Sequence, residues 1–169
     1  MTDSPSRESP MFRDGLAIEQ TGWRGGKAVW TTLRTLHYNH EDGTVVIPEE
    51  FITDLASVPR LPIAWLVAGG RGNRAAVLHD FAYQFSVLLY EQGRRRAKTP
   101  VTRRAADRIF REALKADPWG GTNAVTRFIM WSAVRLLGLY AYRGKKRARE
   151  LNPIWTAEGL PTDPHEGES

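Results

Sequence analysis

Four residues of the chain have the types and spacings that hydrolytic chemistry uses. His79, Asp80 and Tyr83 lie within "LHDFAY" (78–83), and Asp107 lies within "AADRIF" (105–110). From Ala75 to Tyr90, His79 and Asp80 are the only imidazole and the only carboxylate in an otherwise apolar run. Wound at roughly 100° per residue, Leu78, Phe81, Ala82, Phe85, Leu88 and Leu89 fall on one apolar stripe. The opposite face carries Ala76, His79, Asp80, Tyr83, Val87 and Tyr90 where lysines and glutamates would ordinarily stand. The sequence therefore predicts a helix covered on both sides, with His79 stacked on Tyr83 one turn later. An aspartate buried there is costly unless it is paired or ligates a cation.

The next helical segment offers the partner. In "TRRAADRIFREALK", Ala106, Ile109, Phe110, Ala113 and Leu114 form the apolar stripe, and Asp107 sits at its edge. If the two helices run antiparallel across "EQGRRRAKTP", Asp107 reaches His79. A carboxylate on one ring nitrogen fixes the tautomer and leaves the other nitrogen as a base. Asp80 is then left to hold a cation. The plainer alternative pairs Asp107 with Arg103 and Arg111, four residues away on either side, and makes His79 a satisfied core histidine.

The loop "TDLASVPR" (53–60) puts Asp54, Ser57 and Arg60 near the same place. Asp54 and Ser57 are spaced to cap a turn that Pro59 keeps from becoming a regular helix. Functionally they would wall the pocket, with Asp54 as a second metal carboxylate and Arg60 facing an anionic group. Ser57 as a nucleophile lacks the glycine-flanked elbow. His37, His40 and His165 show no metal-ligand spacing, and there is neither a phosphate loop nor a dinucleotide fingerprint.

These residues need elements to position them. "GLAIEQTGW", "AVWTTLRTLHYNH" and "TVVIPEEF" are β-branched and aromatic-rich, with turn chemistry at "TGWRGGK" and "HEDGT". Asp42-Gly43 between two such runs signals a hairpin. Helices are expected at about 72–90, 100–116 and 121–143, the second opened by Thr99 as N-cap and Pro100 at its first position. The fold class is α+β, N-terminal antiparallel β-hairpins followed by about three helices. One domain is expected over 13–150, between a flexible N-terminal arm (1–12) and a C-terminal arm (151–169).

Composition bounds the partners. The 169 residues are 41% apolar, enough for one domain with a real core. There is no cysteine, so disulfides and thiolate chemistry are excluded and any metal must take oxygen or nitrogen ligands. Neither a signal peptide nor a transmembrane run of roughly 18–20 apolar residues is present. With 24 Lys+Arg against 19 Asp+Glu, the net charge is +5. The excess gathers in "GRRRAK" (93–98) and "RGKKRAR" (143–149), while the tail "TDPHEGES" is acidic. Such patches suit phosphate-bearing partners or a solvated surface, and this charge alone does not mark a nucleic-acid binder. Helix 125–142, interrupted only by Arg127 and Arg135, reads as a core helix with one wet edge. It would also serve as an interfacial helix on anionic membrane or as a docking face for another subunit, using Trp119, Trp131, Tyr140 and Tyr142.

"FITDLASVPR" (51–60), then "LHDFAY", then "AADRIF", resembles the phage and prophage domain-of-unknown-function family numbered 1353, over roughly residues 30–140. Three separated motifs in order carry the likeness. It implies a phage or prophage protein, in the virion or the infected host cytoplasm, and supplies no activity. A second, shorter likeness is to the secretory phospholipase domain of parvovirus capsids, through "HDFAY", "AADRIF" and "DPWGG". It implies His79 as general base, Asp80 as calcium ligand, Asp107 as the orienting acid and Tyr83 as brace. The stretch before His79 contains Gly69-Gly70-Arg71-Gly72 but lacks that family's tyrosine-x-G-x-G arrangement, which leaves Asp80 and Asp54 as the carboxylates offered to calcium. Two functions of different class follow. One is a hydrolase of an envelope ester or amide, phospholipid before peptidoglycan. The other is a virion or tail-associated structural protein whose His79, Asp80, Tyr83 and Asp107 form a buried network without turnover.

Overall fold

A computed structural model describes residues 11–24, 27–55, 72–92, 95–116 and 123–143. Among these residues, antiparallel strands in two sheets precede and interleave with three helices, so the class is α+β. The elements run β1 (Met11–Phe12), β2 (Ile18–Arg24), β3 (Lys27–Thr32), β4 (Leu36–His40), β5 (Gly43–Ile47), β6 (Ile52–Thr53), α1 (Asn73–Phe85), β7 (Val87–Gln92), β8 (Arg95–Pro100), α2 (Arg103–Lys115) and α3 (Ala124–Arg143). Strands β1-β4-β5-β7-β8 form one sheet in that order, and β2-β3-β6 form the other. No helix among the described residues is long and apolar enough to cross a membrane.

The expected hairpin at Asp42-Gly43 is there, and the strands flanking Gly25-Gly26 pair antiparallel. β2 and β3 pair from Ile18↔Thr32 to Arg24↔Lys27. β4 and β5 close on His40↔Gly43, leaving Glu41 and Asp42 at the tip and Gly43 at φ 129. "AVWTTLRTLHYNH" is broken between β3 and β4, which belong to different sheets. The break falls at Leu33, which is 54% exposed and donates its N–H to Ala17 O at 2.9 Å. Phe12, expected in the arm, is fully buried beside Tyr38, with ring centroids 4.8 Å apart.

The expected helix 72–90 is corrected. It stops at Phe85, and Val87–Gln92 is a strand. Ser86 takes the left-handed conformation at φ 57 and donates its N–H to Ala82 O, closing the last turn. Leu88, Leu89 and Tyr90 are buried as the sequence requires, but Val45↔Tyr90 and Val46↔Leu89 pair them with β5 in the sheet. "EQGRRRAKTP" is therefore no simple link. β7 and β8 pair from Val87↔Pro100 to Gln92↔Arg95. β8 ends the sheet order, and its arginines, lysine and terminal proline suit an edge.

The expected start of the next helix at Thr99-Pro100 is also corrected. Pro100 ends β8, and the N-cap is Thr102, whose Oγ1 accepts the Ala105 N–H at 3.2 Å. The last helix begins at Ala124, after Asn123 Oδ1 accepts the Thr126 N–H at 2.8 Å.

Eleven of the thirteen α1 residues are buried, so this helix is covered all round. Its entry, Gly72, has φ 87, and a Cβ there would stand 2.7 Å from Leu114 Cδ2. The core joins Phe12, Tyr38 and Val45–Ile47 of the larger sheet to Phe81, Phe110 and Met130 of the three helices. Phe51 meets Phe81 edge-on at 5.2 Å.

Candidate active site

α1 brings His79 and Tyr83 to one face, one turn apart, and their rings lie 3.9 Å between centroids. Phe110 of α2 closes on the imidazole at 4.9 Å. α2 also presents Asp107, whose Oδ1 is 3.2 Å from His79 Nε2. A carboxylate can only accept, so Nε2 carries the proton and Nδ1 keeps its lone pair. Nδ1 is buried and makes no hydrogen bond to any described residue. The His79 side chain is 0% exposed.

Asp107 is the hub. Tyr83 donates its hydroxyl to Oδ1 in a short bond. Arg135 Nη1 donates to Oδ2 at 2.9 Å, and Arg103 Nε stands 3.9 Å from the same oxygen. Arg103 also donates to Tyr83 Oη at 3.3 Å and to the Arg135 carbonyl at 2.6 Å. The sequence alternative of a local ion pair is thus half present. Arg103 takes part, while Arg111 lies over the Trp131 ring at 5.5 Å.

The electrostatics follow from this packing. Burial would raise the Asp107 carboxyl, but hydrogen bonds from His79, Tyr83 and Arg135 outweigh it and hold the group below the usual carboxylate range. Burial dominates at His79 and lowers its pKa below 6.5 despite the bond to Asp107. The imidazole is therefore neutral at pH 7, the form that accepts a proton. Burial, helped by the Asp107 carboxylate, raises the Tyr83 hydroxyl well above its ordinary value, so it stays a donor.

Asp80 faces other company. Thr53 of β6 donates a short hydrogen bond to its Oδ2, and Thr53 Oγ1 in turn accepts the Leu55 N–H at 3.0 Å. Leu55 sits at φ 49, a backbone region a leucine rarely occupies. Gln84 Nε2 donates to Ile52 O at 3.3 Å, a second tie between α1 and β6. Asp54 follows Thr53 and is buried.

Calcium takes about six to eight oxygens. Among the described residues no set of three carboxylate or imidazole ligands forms around Asp80 or Asp54, and one Asp80 oxygen is held by Thr53.

The structure thus brings together His79, Tyr83 and Asp107, and ties Asp80 separately to β6. Ser57, Arg60, Gly69–Arg71, Trp119, His165, the "RGKKRAR" cluster beyond Arg143 and the greater part of both arms lie outside the described residues. Sequence reasoning missed Thr53, Arg103's bond to Tyr83, and Arg135. Arg103 has a signal, its i,i+4 spacing to Asp107. Arg135 has none, because a place on the wet edge of the last helix does not reveal that its guanidinium reaches the Asp107 carboxylate of α2.

A family described as "protein of unknown function (DUF1353)" matches residues 30–134. Comparison with curated proteins finds no match, and neither does comparison with solved structures.

Proposed function

The chain belongs to the DUF1353 family of proteins of unknown function, and from that premise, which brings no activity with it, we propose that it is a hydrolase with His79 Nδ1 as general base. One observation carries the reading. A buried, neutral imidazole has one nitrogen fixed on a carboxylate and the other without a partner among the described residues. Leaving a buried polar atom unbonded costs about 1–3 kcal/mol, and a purely structural histidine would be expected to have both nitrogens satisfied.

In this reading Nδ1 takes a proton from water while the water oxygen bonds to a carbonyl carbon of an ester or amide. The carbonyl electrons move onto its oxygen. When the tetrahedral adduct collapses, the leaving group departs with the proton from Nδ1. Asp107 stabilises the transient imidazolium, and Tyr83, Arg103 and Arg135 hold Asp107 in register. Because Nδ1 is covered, turnover requires local opening to admit water and substrate. A bacterial envelope lipid is the first substrate class and peptidoglycan the second, as expected of a phage or prophage protein that resembles a secretory phospholipase.

The test is hydrolysis of phospholipid vesicles and of peptidoglycan by the wild type and His79→Gln, each with calcium and with a chelator. Turnover lost in His79→Gln supports the base. Turnover surviving the chelator assigns water activation to the dyad alone, and turnover abolished by it assigns calcium a part.

The full burial of His79 and the saturation of Asp107 favour a second reading, a virion or tail subunit held together by this network. It predicts no hydrolysis by the wild type and a large loss of stability in His79→Gln.

A further inference from the structure

α2 has two unlike faces. Ala106, Ile109, Phe110, Ala113 and Leu114 are buried in the core, while Arg104, Arg108, Arg111 and Lys115 are exposed. These four stand at i, i+4, i+7 and i+11, which puts them in one row along the outer side of the helix, about 16 Å long. Acids at helical spacing would ordinarily balance such a row. Here the two carboxylates of α2 point elsewhere: Asp107 is buried against His79, and Glu112 Oε2 lies 3.4 Å from His40 Nε2. Among the described residues, Arg104, Arg108 and Lys115 have no acidic partner.

Arg111 joins this row to α3, where its guanidinium lies 5.5 Å from the centre of the Trp131 ring. Arg103 meets the Arg135 carbonyl, so the two helices run in opposite senses. Phe128, one turn before Trp131, therefore lies towards the end of α2 that carries Lys115. Phe128 is 67% exposed, and Val125, a further turn back, is 66% exposed. α3 contains no carboxylate at all. A row of unbalanced cations calls for an anionic partner spread over its length, and two large apolar side chains in water beside it call for an apolar phase as well. A nucleic acid meets the first demand and not the second. Val125 has no ring for a base to stack on, and the larger ring, Trp131, is already covered by Arg111. An anionic bilayer meets both, with phosphates at the head-group level and acyl chains just beneath.

We propose that the outer face of α2 and the start of α3 bind an anionic phospholipid membrane, with Arg104, Arg108, Arg111 and Lys115 on the head-group phosphates and Val125 and Phe128 inserted at the acyl boundary. The surface shares no residue with the network of His79 and Asp107, and binding is read without turnover, so it stands or falls apart from the hydrolase reading.

The test is co-sedimentation of the full chain with vesicles of phosphatidylglycerol and phosphatidylcholine in equal parts, and with vesicles of phosphatidylcholine alone. The wild type is expected to bind the anionic vesicles and not the neutral ones. Binding should weaken as salt rises from about 0.1 M to about 1 M and the screening length falls from about 10 Å to about 3 Å. Each basic side chain at an anionic surface contributes roughly fivefold, so Arg104→Gln, Arg108→Gln and Lys115→Gln together should weaken binding by about a hundredfold. Val125→Gln with Phe128→Gln should weaken it by at least about tenfold. All five positions are exposed, and thermal melting of each variant checks that its fold is kept. A further arm replaces the vesicles with a DNA duplex at equal phosphate. No binding of the wild type to anionic vesicles, binding unchanged in the basic triple or in the apolar double variant, or a duplex held more tightly than the vesicles overturns the proposal.

Discussion

Arg135, on the last helix, donates to Asp107 Oδ2 at 2.9 Å, while His79, on the first, meets Oδ1 of the same carboxylate at 3.2 Å. Three helices therefore converge on one side chain. Asp107 is 3% exposed at its side chain and Arg135 is 37% exposed, so the pair runs from the interior to solvent.

Arg135→Met removes the better-placed cation and leaves Arg103 at 3.9 Å. The expected loss is about 1–2 kcal/mol, reduced from a fully buried pair because Arg135 is partly screened by water. Urea denaturation measures it. In the Asp107→Asn background the same change should cost much less, and equal losses in both backgrounds would show that the two residues are not coupled.

Tyr83→Phe keeps the ring against His79 and deletes the donor to Asp107. A loss of about 1–2 kcal/mol is expected. If Asp107 orients a catalytic base, the variant also lowers kcat more than it raises KM.

Acid should act through His79. Its folded-state pKa lies below the ordinary 6.5 because burial disfavours the cation. Below about 6.5 the unfolded chain binds a proton that the folded chain refuses, so this contribution to stability is complete above that pH and falls as pH drops through it. Asp107, also lowered, adds a second loss as pH falls from its unfolded value of 3.8 towards its folded one. Denaturation midpoints from about pH 7.5 to pH 5 should decline in the wild type and stay flatter in His79→Gln. The difference is at most about 1.4 kcal/mol per pH unit for one proton. A difference that does not change with pH would contradict a neutral buried imidazole.

Thr53→Val removes the donor to Asp80 while keeping the shape. Asp80 is 1% exposed, and a cost of about 2–4 kcal/mol is expected. Thr53→Ser should restore most of it. Calorimetric calcium titration of the wild type and Asp80→Asn runs beside this measurement, because a carboxylate engaged only with the protein binds no calcium in either.

How much of this was legible varies by residue. Periodicity alone put His79, Asp80 and Tyr83 in a helix covered on both faces, because an apolar run with a single imidazole and a single carboxylate admits little else. Spacing offered Asp107 to His79 only if the two helices ran antiparallel, with a local pair to Arg103 and Arg111 as the alternative. The end of that helix was not legible. Leu88 and Leu89 continue the helical stripe, and only the left-handed turn at Ser86 and pairing with Val45 and Val46, some forty residues earlier, make them a strand. Thr53 and Arg135 were hidden for the same reason, since their partners are set by tertiary packing and no local rule reaches that far.

The β7–β8 hairpin works as a spacer that does not transmit its own length. Val87 pairs with Pro100, and Val101 N–H bonds Ser86 O at 2.9 Å, so the end of α1 and the start of α2 are pinned side by side at the hairpin's base. Lengthening both strands equally, between Gln92 and Arg95, would leave the distance from His79 to Asp107 untouched. Removing one residue from a single strand would slide α2 by about 3.3 Å relative to α1 and part the dyad. Loop grafts and peptide tags therefore belong at the far end of this hairpin, in balanced insertions, where the molecule can grow without disturbing the histidine and aspartate beneath it.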